Sequence, residues 1–278
     1  GSATDFGGVF AYDINCVFDS TNNKVIGFFR DVNDGTRGKA NVGTVSGTSI
    51  SFGGEVTFNA TDTEFISPTF DTSSGKVVVA YRDTANSDQG MAIVGTVSGT
   101  SISFGSEVAF DNTAIADTTA VYDPNANKTL IVYKDVDNSN YLTAIVGTVS
   151  GASISFGSEI VLDQVNGSEM GSVYDTNAER SVIVYRNTTD SEGSSVVFAN
   201  ESSTLTSENF VGFMKGAALD GTNGEILSSC SIARNQTSLT AGQTYFVSPT
   251  DGSLSETAGN PSVTAGTAIS ATELIVKG

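Results

Sequence analysis

One string of residues recurs along this chain at a fixed spacing, and that period constrains the fold more than any other feature of the sequence. GTVSGTSISFG begins at Gly43 and again at Gly95, and GTVSGASISFG begins at Gly147. Both intervals are 52 residues (95 − 43 and 147 − 95). A repeat of this length that recurs without insertions indicates that one small structural unit is built several times in succession.

Two side-chain pairs keep the same period through four successive units. One is an aromatic residue followed by Asp, and the other is an aromatic residue followed by Arg or Lys. The first pair occurs at Phe18-Asp19, Phe70-Asp71, Tyr122-Asp123 and Tyr174-Asp175, and the second at Phe29-Arg30, Tyr81-Arg82, Tyr133-Lys134 and Tyr185-Arg186. Four units therefore run from about residue 6 to about residue 200, and the fourth lacks the GTVSG…SISFG segment.

The composition within these units is that of β-structure. Leu is scarce in the first 200 residues, whereas Val, Ile, Thr, Ser and Phe are abundant, and no segment sustains the apolar spacing of an amphipathic helix. Turn-forming segments rich in Asp, Asn, Ser and Gly divide each unit into four short strands. In the second unit we predict strands at 64–70, 76–81, 90–97 and 101–110.

Residues 3–200 are therefore predicted to form a β-propeller with four blades of four strands each. A repeat of about 40–50 residues with four antiparallel strands is typical of a propeller blade, because one small sheet cannot bury both of its own faces. A β-solenoid is the alternative, although its repeats are usually shorter. Phe6 is equivalent to Phe58, so a strand near 4–10 is expected to complete the last blade and join the two ends of the ring. A fragment of a longer array, with more than four blades, explains that start equally well.

The period stops after Asn200, and residues 201–278 are predicted to form a separate β module, a small sandwich or barrel. Turn-forming pairs such as Asp220-Gly221 and Asp251-Gly252 separate its candidate strands. Those strands lie at 209–218, 224–233, 243–248, 262–269 and 273–277.

Several segments resemble proteins of virus particles and bacterial surfaces. LTSENFVGF at 205–213, LTAGQTYFVSPTDGSLS at 239–255 and AGTAISATELIVKG at 265–278 resemble a C-terminal module of bacteriophage tail-fibre and other virion structural proteins. VYDPNANKTLIVYKD at 121–135 and AIVGTVSGTSISFG at 92–105 resemble repeats of large phage or marine bacterial surface proteins. This resemblance implies an extracellular or virion-surface protein involved in adhesion, and it brings no catalytic residues with it.

Composition excludes several classes of function. Acidic residues exceed basic residues by 18, which argues against binding to nucleic acid or anionic membranes, and no segment is apolar enough for a membrane helix. Without His, the chain has no imidazole for a Ser-His-Asp or Cys-His nucleophile or for a zinc site. The in-register carboxylates recur in every unit as in a scaffold, so we expect no enzyme, although Glu64, Asp117 and Glu169 lie outside the strictest pattern.

The basic member of the recurring pair is a candidate ligand-binding residue in each unit. Arg30, Arg82, Lys134 and Arg186 would offer cations to a sugar or an acidic glycan from four equivalent pockets. The alternative role is structural, with each side chain bonding loop carbonyls or a neighbouring carboxylate at the strand end. Three aromatic residues depart from the repeat and are predicted to be exposed stacking surfaces, since the chain has no Trp: Tyr12, Tyr141 and Tyr245.

The loops that follow these pairs are rich in Asp and Asn. The alternate spacing in Asp135-Val-Asp137-Asn-Ser139 is that of a calcium loop, although the Gly and distal Glu of an EF-hand do not follow. The same residues are common in ordinary turns, where their side chains accept hydrogen bonds from backbone N–H groups. Asp135 and Asp137 are thus candidate Ca²⁺ ligands, and no other cofactor is expected.

The two cysteines, Cys16 and Cys230, allow one disulfide or two free thiols. We expect two buried free thiols, because both residues lie in apolar, strand-like surroundings.

Together these patterns predict a receptor-binding or structural component of a phage fibre or cell surface, located on a virion or outside the cell. Its partners would be a host surface glycan or receptor, bound non-covalently at several sites, and other virion proteins; a homo-oligomer is left open. A passive architectural or decoration protein without a ligand is the second interpretation, and a polysaccharide-degrading enzyme is the third.

Overall fold

The structure is a computed structural model in which the chain divides into two compact units, residues 1–200 and 201–278. It describes residues 1–7, 10–200, 232–233, 236, 238–247, 254–257 and 264–276, and the backbone of 213–214 and 226–227. We call the first unit the repeat region and the second the tail unit. The described residues are all-β with antiparallel pairing, and none of them forms a helix that could span a membrane.

The repeat region is built from a series of strands with two short 3₁₀ turns. Its described strands are β1 (Ala11–Asp19), β2 (Lys24–Asp31), β3 (Arg37–Ser46), β4 (Ser49–Phe52), β5 (Val56–Asp71), β6 (Lys76–Asp83), β7 (Gln89–Ser98), β8 (Ser101–Phe104), β9 (Val108–Asp123), β10 (Lys128–Asp135), β11 (Tyr141–Ser150), β12 (Ser153–Phe156), β13 (Ile160–Asp175), β14 (Arg180–Asn187) and β15 (Glu192–Phe198). The 3₁₀ turns, Val32–Asp34 and Thr84–Asn86, follow β2 and β6.

Long strands connect one sheet to the next in a repeated way. β5, β9 and β13 are each 16 residues long and belong to two sheets at once. In β5, residues 56–62 pair with β3, and residues 63–71 pair with β6. The outer strand of one sheet therefore runs directly into the inner strand of the next, and β9 and β13 repeat this connection.

Each sheet has an inner strand, two middle strands and an outer strand. Sheet 1 consists of β1, β2, β3 and an outer strand made by β4 and the start of β5, and sheets 2 and 3 repeat this plan with β5–β9 and β9–β13. Sheet 4 consists of the end of β13, β14 and β15, and no other described strand pairs with β15. The prediction of an all-β repeat is confirmed.

A β-bulge interrupts every inner strand at the same position of the repeat. The pairing register shifts there, and φ is positive: 48° at Asp13, 53° at Phe65, 45° at Asp117 and 51° at Glu169. A bulge bends its strand and changes the direction of nearby side chains. Because non-glycine residues enter the left-handed region at a cost, its recurrence marks a position that the surrounding structure enforces.

The sheets pack face to face, and the first middle strands of sheets 2 and 3, β6 and β10, are buried on both faces. In β6 the five consecutive residues 77–81 are all 0% exposed. Alternate residues point opposite ways, so Val77 and Val79 pack against sheet 1, whereas Val78 and Ala80 pack against sheet 3. We call the side toward the preceding sheet the leading face and the side toward the following sheet the trailing face. Burial of one such Val contributes roughly 1.5–3 kcal/mol, so these repeated interfaces are a main source of stability.

Glycine and phenylalanine fit together where sheet 2 packs on sheet 3, and two leucines replace them at the next interface. A Cβ added at Gly90 would lie 2.3 Å from the Phe110 ring, so only glycine fits there. The equivalent residues one repeat later are Leu142 and Leu162, which pack in one cluster. Volume lost at one position is thus restored at the other.

The two ends of the repeat region expose faces that are buried inside it. Ile14 and Phe18 on the leading face of sheet 1 are exposed, and so are Val173 and Val184 on the trailing face of sheet 4. Sheets 1 and 4 therefore do not cover each other, so the described residues do not close a ring of four sheets. A propeller with more blades stays a prediction.

The N-terminal segment lies against sheet 1. None of the described residues within 4–10 forms a strand. The ring of Phe6 packs on that of Phe29, with 5.7 Å between their centres, and the Asn41 amide donates a hydrogen bond to the Phe6 carbonyl. The prediction of a strand at 4–10 that pairs with the last blade is therefore wrong for the described residues, because this segment is held by the leading face of sheet 1.

Cys16 lies on that same exposed face and carries a free thiol. The equivalent Pro68 is buried, because it lies at an interface between two sheets. The prediction that both thiols are buried is therefore wrong for Cys16, and Cys230 lies outside the described residues.

The tail unit has a small sheet of its own. Its described strands are β16 (Phe213–Met214), β17 (Ile226–Leu227), β18 (Ile232–Ala233), β19 (Thr244–Val247), β20 (Leu254–Ser255), β21 (Thr264–Ala268) and β22 (Leu274–Val276). Five of them form a sheet in the order β18-β22-β21-β19-β20, and β16 pairs with β17. Leu239, Val247 and Leu274 belong to its core. β19, β21 and β22 lie within predicted strands, whereas a sandwich or barrel stays a prediction.

Candidate functional site

The basic residues that recur with the repeat lie where each inner strand pairs with the first middle strand. Arg30 is opposite Tyr12 in the pairing of β1 with β2, and Arg82 is opposite Glu64 in the pairing of β5 with β6. The equivalent residues of sheets 3 and 4 are Lys134 and Arg186. We call this series of positions, next to the inner-strand bulges, the rim.

The acidic residue that follows each of these cations in sheets 1 to 3 holds the adjoining loop in place. Asp31 Oδ1 accepts hydrogen bonds from the backbone N–H groups of Asn33 at 3.0 Å and Asp34 at 3.3 Å. Asp135 accepts one from Asn138 at 2.9 Å in the same way. This half of the recurring pair is a turn cap.

Glu64 joins the first two arginines of the rim. Its Oε1 lies 2.7 Å from Arg30 Nη1, and its Oε2 accepts a hydrogen bond from Arg82 Nη2. Arg30 Nε also lies 3.2 Å from Asp13 Oδ2. Arg30 belongs to sheet 1, whereas Glu64 and Arg82 belong to sheet 2, so these ion pairs link neighbouring sheets. They are the kind of contact expected from a structural role of the two arginines.

Two aromatic rings lie against the same arginines. The Tyr12 ring centre is 5.9 Å from the Arg30 guanidinium carbon, and the Phe65 ring centre is 4.8 Å from that of Arg82. A cation is attracted to the negative face of such a ring. Tyr12 is exposed, as predicted, so the rim presents aromatic surface to solvent beside charged groups.

The two carboxylates around Arg30 differ in how readily they take up a proton. Burial alone would raise the pKa of Glu64, but hydrogen bonds from Arg30 and Arg82 outweigh it, and the pKa is lowered. The pKa of Asp13 is raised, chiefly by burial, although Arg30 opposes the shift. Glu64 therefore keeps its negative charge, whereas Asp13 is the more easily protonated group.

The rim is less tightly paired in sheets 3 and 4. Arg186 Nη1 lies 3.3 Å from Glu169 Oε1, with both side chains exposed, and Lys134 forms no salt bridge with any described residue. The pKa of the neighbouring Asp117 is raised, chiefly by burial, while Lys134 acts against the shift. The cations of these two sheets are thus freer to meet an outside group.

The other two aromatic residues predicted to be exposed behave differently. Tyr245 is buried in the core of the tail unit, where its hydroxyl accepts from Thr240 N at 2.9 Å and donates to Glu256 Oε1 at 2.8 Å. The prediction that Tyr245 is exposed is wrong, because alternate residues of β19 face the core and Tyr245 is one of them. Tyr141 is half-buried at the start of β11, opposite Asp135.

The loop considered for Ca²⁺ does not gather three ligand side chains. Asp135 is buried and caps its turn, and Asp137 is exposed. The pKa of Asp135 is raised, chiefly by burial. Within the described part of the chain, no three His, Cys, Asp or Glu side chains are placed to hold a metal ion. Asp135 therefore acts as a turn cap, and a Ca²⁺ site at Asp135 and Asp137 stays a prediction.

A second cluster of charges, in sheet 1, surrounds Lys39. Its Nζ lies 2.9 Å from Asp31, 2.9 Å from Asp34 and 3.2 Å from Glu55. Burial would lower the pKa of Lys39, but hydrogen bonds to these three carboxylates outweigh it and raise the pKa. Glu55, which recurs at 107 and 159, is therefore ion-paired in this unit although its side chain is exposed.

Sheet 3 keeps two of the three carboxylates of this cluster without its lysine, because Asn138 stands where sheet 1 has Asp34. Thr143 takes the place of Lys39, and Asp111 adds a third carboxylate to Asp135 and Glu159. The pKa of Glu159 is raised, chiefly by burial and then by the charges of Asp111 and Asp135. The carboxylates at this position of the repeat are thus paired with a lysine in sheet 1, whereas in sheet 3 a threonine takes the place of that lysine.

Sequence reasoning chose Tyr12, Arg30 and Arg82 separately and did not predict that they meet. It also missed Asp13 and Phe65, which contact the two arginines. The four bulge residues, Asp13, Phe65, Asp117 and Glu169, lie 52 residues apart, so the period relates them once one bulge is known. Their residue types differ, however, and none is the glycine that a left-handed bulge favours.

Neither protein-family models nor curated proteins provide a match to this chain. An exposed ring, a guanidinium group and a carboxylate in one place suit a ligand that has both an apolar face and hydroxyl groups.

Proposed function

We propose that the rim of the repeat region binds a surface glycan, and that the protein is a receptor-binding component of a phage fibre or cell surface. The observation that carries this proposal is the exposed Tyr12 ring beside Arg30 and Asp13. A sugar ring presents C–H groups that pack on an aromatic face, and hydroxyl groups that bond charged side chains at its edge. The part of the rim around Tyr12 offers both.

The supporting ion pairs make this part of the rim suited to binding. Glu64 holds Arg30 from one side and is itself held by Arg82. Asp13 contacts Arg30 from its own bulge. A side chain fixed before the ligand arrives loses less conformational entropy on binding, which favours affinity.

The proposed architecture for the repeat region is a β-propeller array. Two features support it over a solenoid: each sheet is an antiparallel meander, and each outer strand continues into the next inner strand. Inner strands of successive sheets are also bonded to each other, because Ala120 N donates to Ser67 Oγ at 2.9 Å and Asn15 Nδ2 to the Ile66 carbonyl at 3.3 Å. Such hydrogen bonds hold the inner strands of neighbouring sheets next to each other, as around the axis of a propeller.

The rim positions are equivalent but not identical. Tyr12 has Glu64, Ala116 and Ser168 as its counterparts, so the aromatic surface occurs only once among them. Lys134 and Arg186 would add weaker contacts to an acidic glycan. Several weak contacts, on one chain or on several copies, raise the overall avidity without any single strong site.

The location and partners follow from the resemblance to phage fibre and surface proteins, and they are part of the same proposal. The protein would lie on a virion or outside the cell, in contact with a host glycan and with other virion proteins. The excess of 18 acidic residues fits a partner that is neither nucleic acid nor anionic membrane.

A glycan array probed with the labelled full chain tests the proposal. We expect a reproducible set of bound glycans, at least tenfold weaker binding for Tyr12→Ala, and retained binding for Tyr12→Phe, since the ring supplies the stacking surface. Tyr141→Ala tests the other partly exposed candidate tyrosine and should weaken binding less than Tyr12→Ala, since Tyr141 is half-buried. The absence of any reproducible glycan, or equal binding by Tyr12→Ala, would favour the architectural protein without a ligand.

One observation favours a second candidate function, cleavage of a polysaccharide. Asp13, with its raised pKa, and Glu64, with its lowered pKa, both contact Arg30. Two carboxylates whose pKa values are pushed apart can act as acid and base in glycoside hydrolysis. Release of reducing ends from a glycan that binds, abolished by Asp13→Asn, would establish this function; binding without release would leave the glycan-binding role alone.

A further inference from the structure

Sheet 4 exposes a row of valines on its trailing face. Val173 is 61%, Val184 53% and Val197 62% exposed. Val173 lies directly opposite Val182 in the pairing of β13 with β14, and Val182 lies opposite Val197 in the pairing of β14 with β15. Side chains that face each other across paired strands form one continuous surface. The trailing face of sheet 4 is therefore a continuous apolar patch.

The same face is buried in the sheet before it. Val121 and Val132, one repeat upstream of Val173 and Val184, are 8% and 0% exposed. They are covered by residues such as Ile183 and Tyr185 on the leading face of sheet 4. Each of the three interfaces between sheets thus joins a trailing face to a leading face.

The leading face of sheet 1 is the other half of such an interface. Phe18 is 53% exposed, whereas its equivalent Phe70 is 7% exposed. A groove of about 370 Å³ opens on this face between Phe6, Ile14, Cys16, Val25 and Phe52. Its lining is mainly apolar, like the trailing face at the far end.

The N-terminal segment lies where the outer strand of a preceding sheet would lie. Phe6 packs on Phe29 and Phe52 with ring centres 5.7 and 5.5 Å apart. Phe58, on the outer strand of sheet 1, makes the equivalent contacts with Tyr81 and Phe104 of sheet 2 at 5.3 and 5.8 Å. Residues 1–7 therefore mimic an outer strand, and an outer strand is the element that no described residue supplies to sheet 4.

The far edge of β15 is free, because β14 is the one described strand that pairs with it. An open groove of about 620 Å³ crosses β13, β14 and the start of β15 nearby, lined in part by Glu169, Val184, Tyr185, Arg186, Gly193 and Ser195. The period ends after Asn200, and the chain continues into the tail unit, so a fifth repeat does not follow sheet 4 in this sequence. The surface that matches both the valine patch and the open strand edge is sheet 1 with its N-terminal segment.

We propose that the trailing face of sheet 4 binds the leading face of sheet 1 of a second copy of this chain. The N-terminal segment of that copy then lies beside β15 and takes the place of the missing outer strand. This contact is head to tail, so two different surfaces meet, and it propagates into a ring or a filament. It does not depend on the proposed glycan binding.

Light scattering coupled to size-exclusion chromatography tests this interface on the full chain. The mass of the parent protein is expected to rise above that of the monomer as concentration increases. Val184→Glu removes one surface and Phe18→Glu the other, so each variant alone should be monomeric. Because each keeps the surface that the other lacks, an equimolar mixture should form a 1:1 dimer and nothing larger.

Val136→Glu, at a loop residue that is also exposed, is the matched control and should associate as the parent does. Thermal unfolding of each variant, followed by circular dichroism, establishes that it is folded. A parent protein that remains monomeric at all concentrations would overturn the proposal. So would self-association of Phe18→Glu alone, because that result would mean that two sheet 4 faces bind each other.

Cys16 gives a second measurement that needs no substitution. Its thiol lies in the groove on the leading face of sheet 1. Its alkylation rate, followed on the peptide that contains it, should fall several-fold as the parent protein is concentrated and should not fall in Val184→Glu. Equal rates at low and high concentration would contradict the interface.

Discussion

Sheets 3 and 4 each have an inner strand and two middle strands, yet the same valine position has opposite surroundings in them. Val132 in β10 is 0% exposed, and Val184, one repeat later in β14, is 53% exposed. The difference lies in the neighbour, because sheet 4 covers Val132 and no described residue covers Val184 to that extent. A run of apolar residues in a repeat therefore shows that the unit can pack against a neighbour on that face. It does not show that the same chain supplies the neighbour.

The largest difference in the free energy of unfolding is expected when a charge replaces Val132 or Val184. Val132→Asp buries a carboxylate without a partner and should lower the free energy of unfolding by about 4 kcal/mol. Val184→Asp, the matched change one repeat later, should alter it by less than about 0.5 kcal/mol in dilute protein. Urea unfolding followed by fluorescence or circular dichroism measures both. Similar losses for the two variants would mean that Val184 is also covered within one chain.

The next effect concerns the glycine and phenylalanine that sheet 3 replaces with two leucines. Gly90→Leu should cost about 3 kcal/mol, because its side chain would enter the space of the Phe110 ring. Gly90→Leu combined with Phe110→Leu recreates Leu142 and Leu162 and should recover at least about 1 kcal/mol of that loss. A double-mutant cycle by urea unfolding gives the coupling. Strictly additive losses would show that the two positions do not share one space.

A third prediction compares the charged clusters of sheets 1 and 3. Asp135 and Glu159 have raised pKa values in the folded protein. The folded protein therefore binds protons at these two groups more readily than the unfolded chain does. Their contribution to stability therefore increases as pH falls through the raised folded pKa values and is lost as pH rises back through them. The urea midpoint should rise on acidification through these values.

Transplanting the residues of sheet 1 should flatten this dependence. Thr143→Lys with Tyr133→Phe recreates Lys39 and Phe29, and it should stabilise the protein at pH 7 by about 1 kcal/mol because it pairs the carboxylates. Tyr133→Phe alone is the control and should keep the pH dependence of the parent. A double variant as pH-sensitive as the parent would show that the carboxylates of sheet 3 are not the source.

The smallest effect is expected at the rim. Glu64→Gln removes the acceptor that joins Arg30 and Arg82 and should cost about 1 kcal/mol, since the three side chains are only partly exposed. Glu169→Gln, whose partner Arg186 is exposed, should change stability by less than about 0.3 kcal/mol. Thermal unfolding at low and moderate salt compares them. A larger loss of stability for Glu169→Gln than for Glu64→Gln would mean that the ion pair in sheet 4 is stronger than those that Glu64 forms.

The period and the residue types were enough to predict the all-β repeat and the strands of its second unit. Turn residues such as Asp71 and Gly75 mark strand ends through local chemistry that each unit carries within itself. The end of the repeat near 200 was visible for the same reason. These features depend on short-range rules, which a single sequence displays.

Two departures of the end sheets from the repeat were not predicted. The hairpin from Asn187 to Glu192 is one residue shorter than the one from Asp135 to Tyr141, so Val197 pairs with Val182 and leaves the register that the period implies. The exposure of Cys16 likewise depends on the missing neighbour of sheet 1.

The candidate site was only partly predictable for a related reason. The sequence indicated that Arg30, Arg82 and Tyr12 were candidate binding residues. The bulges that bring Asp13 and Phe65 beside them contain no glycine from which they could have been predicted. Tyr245 has no counterpart in a repeat with which to compare it. Its inward direction follows from the alternation of β19 and from the bond to Glu256, which only three-dimensional packing reveals.

Hydrogen–deuterium exchange of the full chain, at concentrations below and above association, tests most directly the claim that the end faces are unfilled interfaces. We predict that amides of β10 are protected at both concentrations, because sheet 3 has neighbours on both faces. Amides of β15 should exchange at least tenfold faster than those of β11 in dilute protein and slow down as the protein is concentrated. Equal protection of β15 and β11 in the dilute monomer would contradict the account.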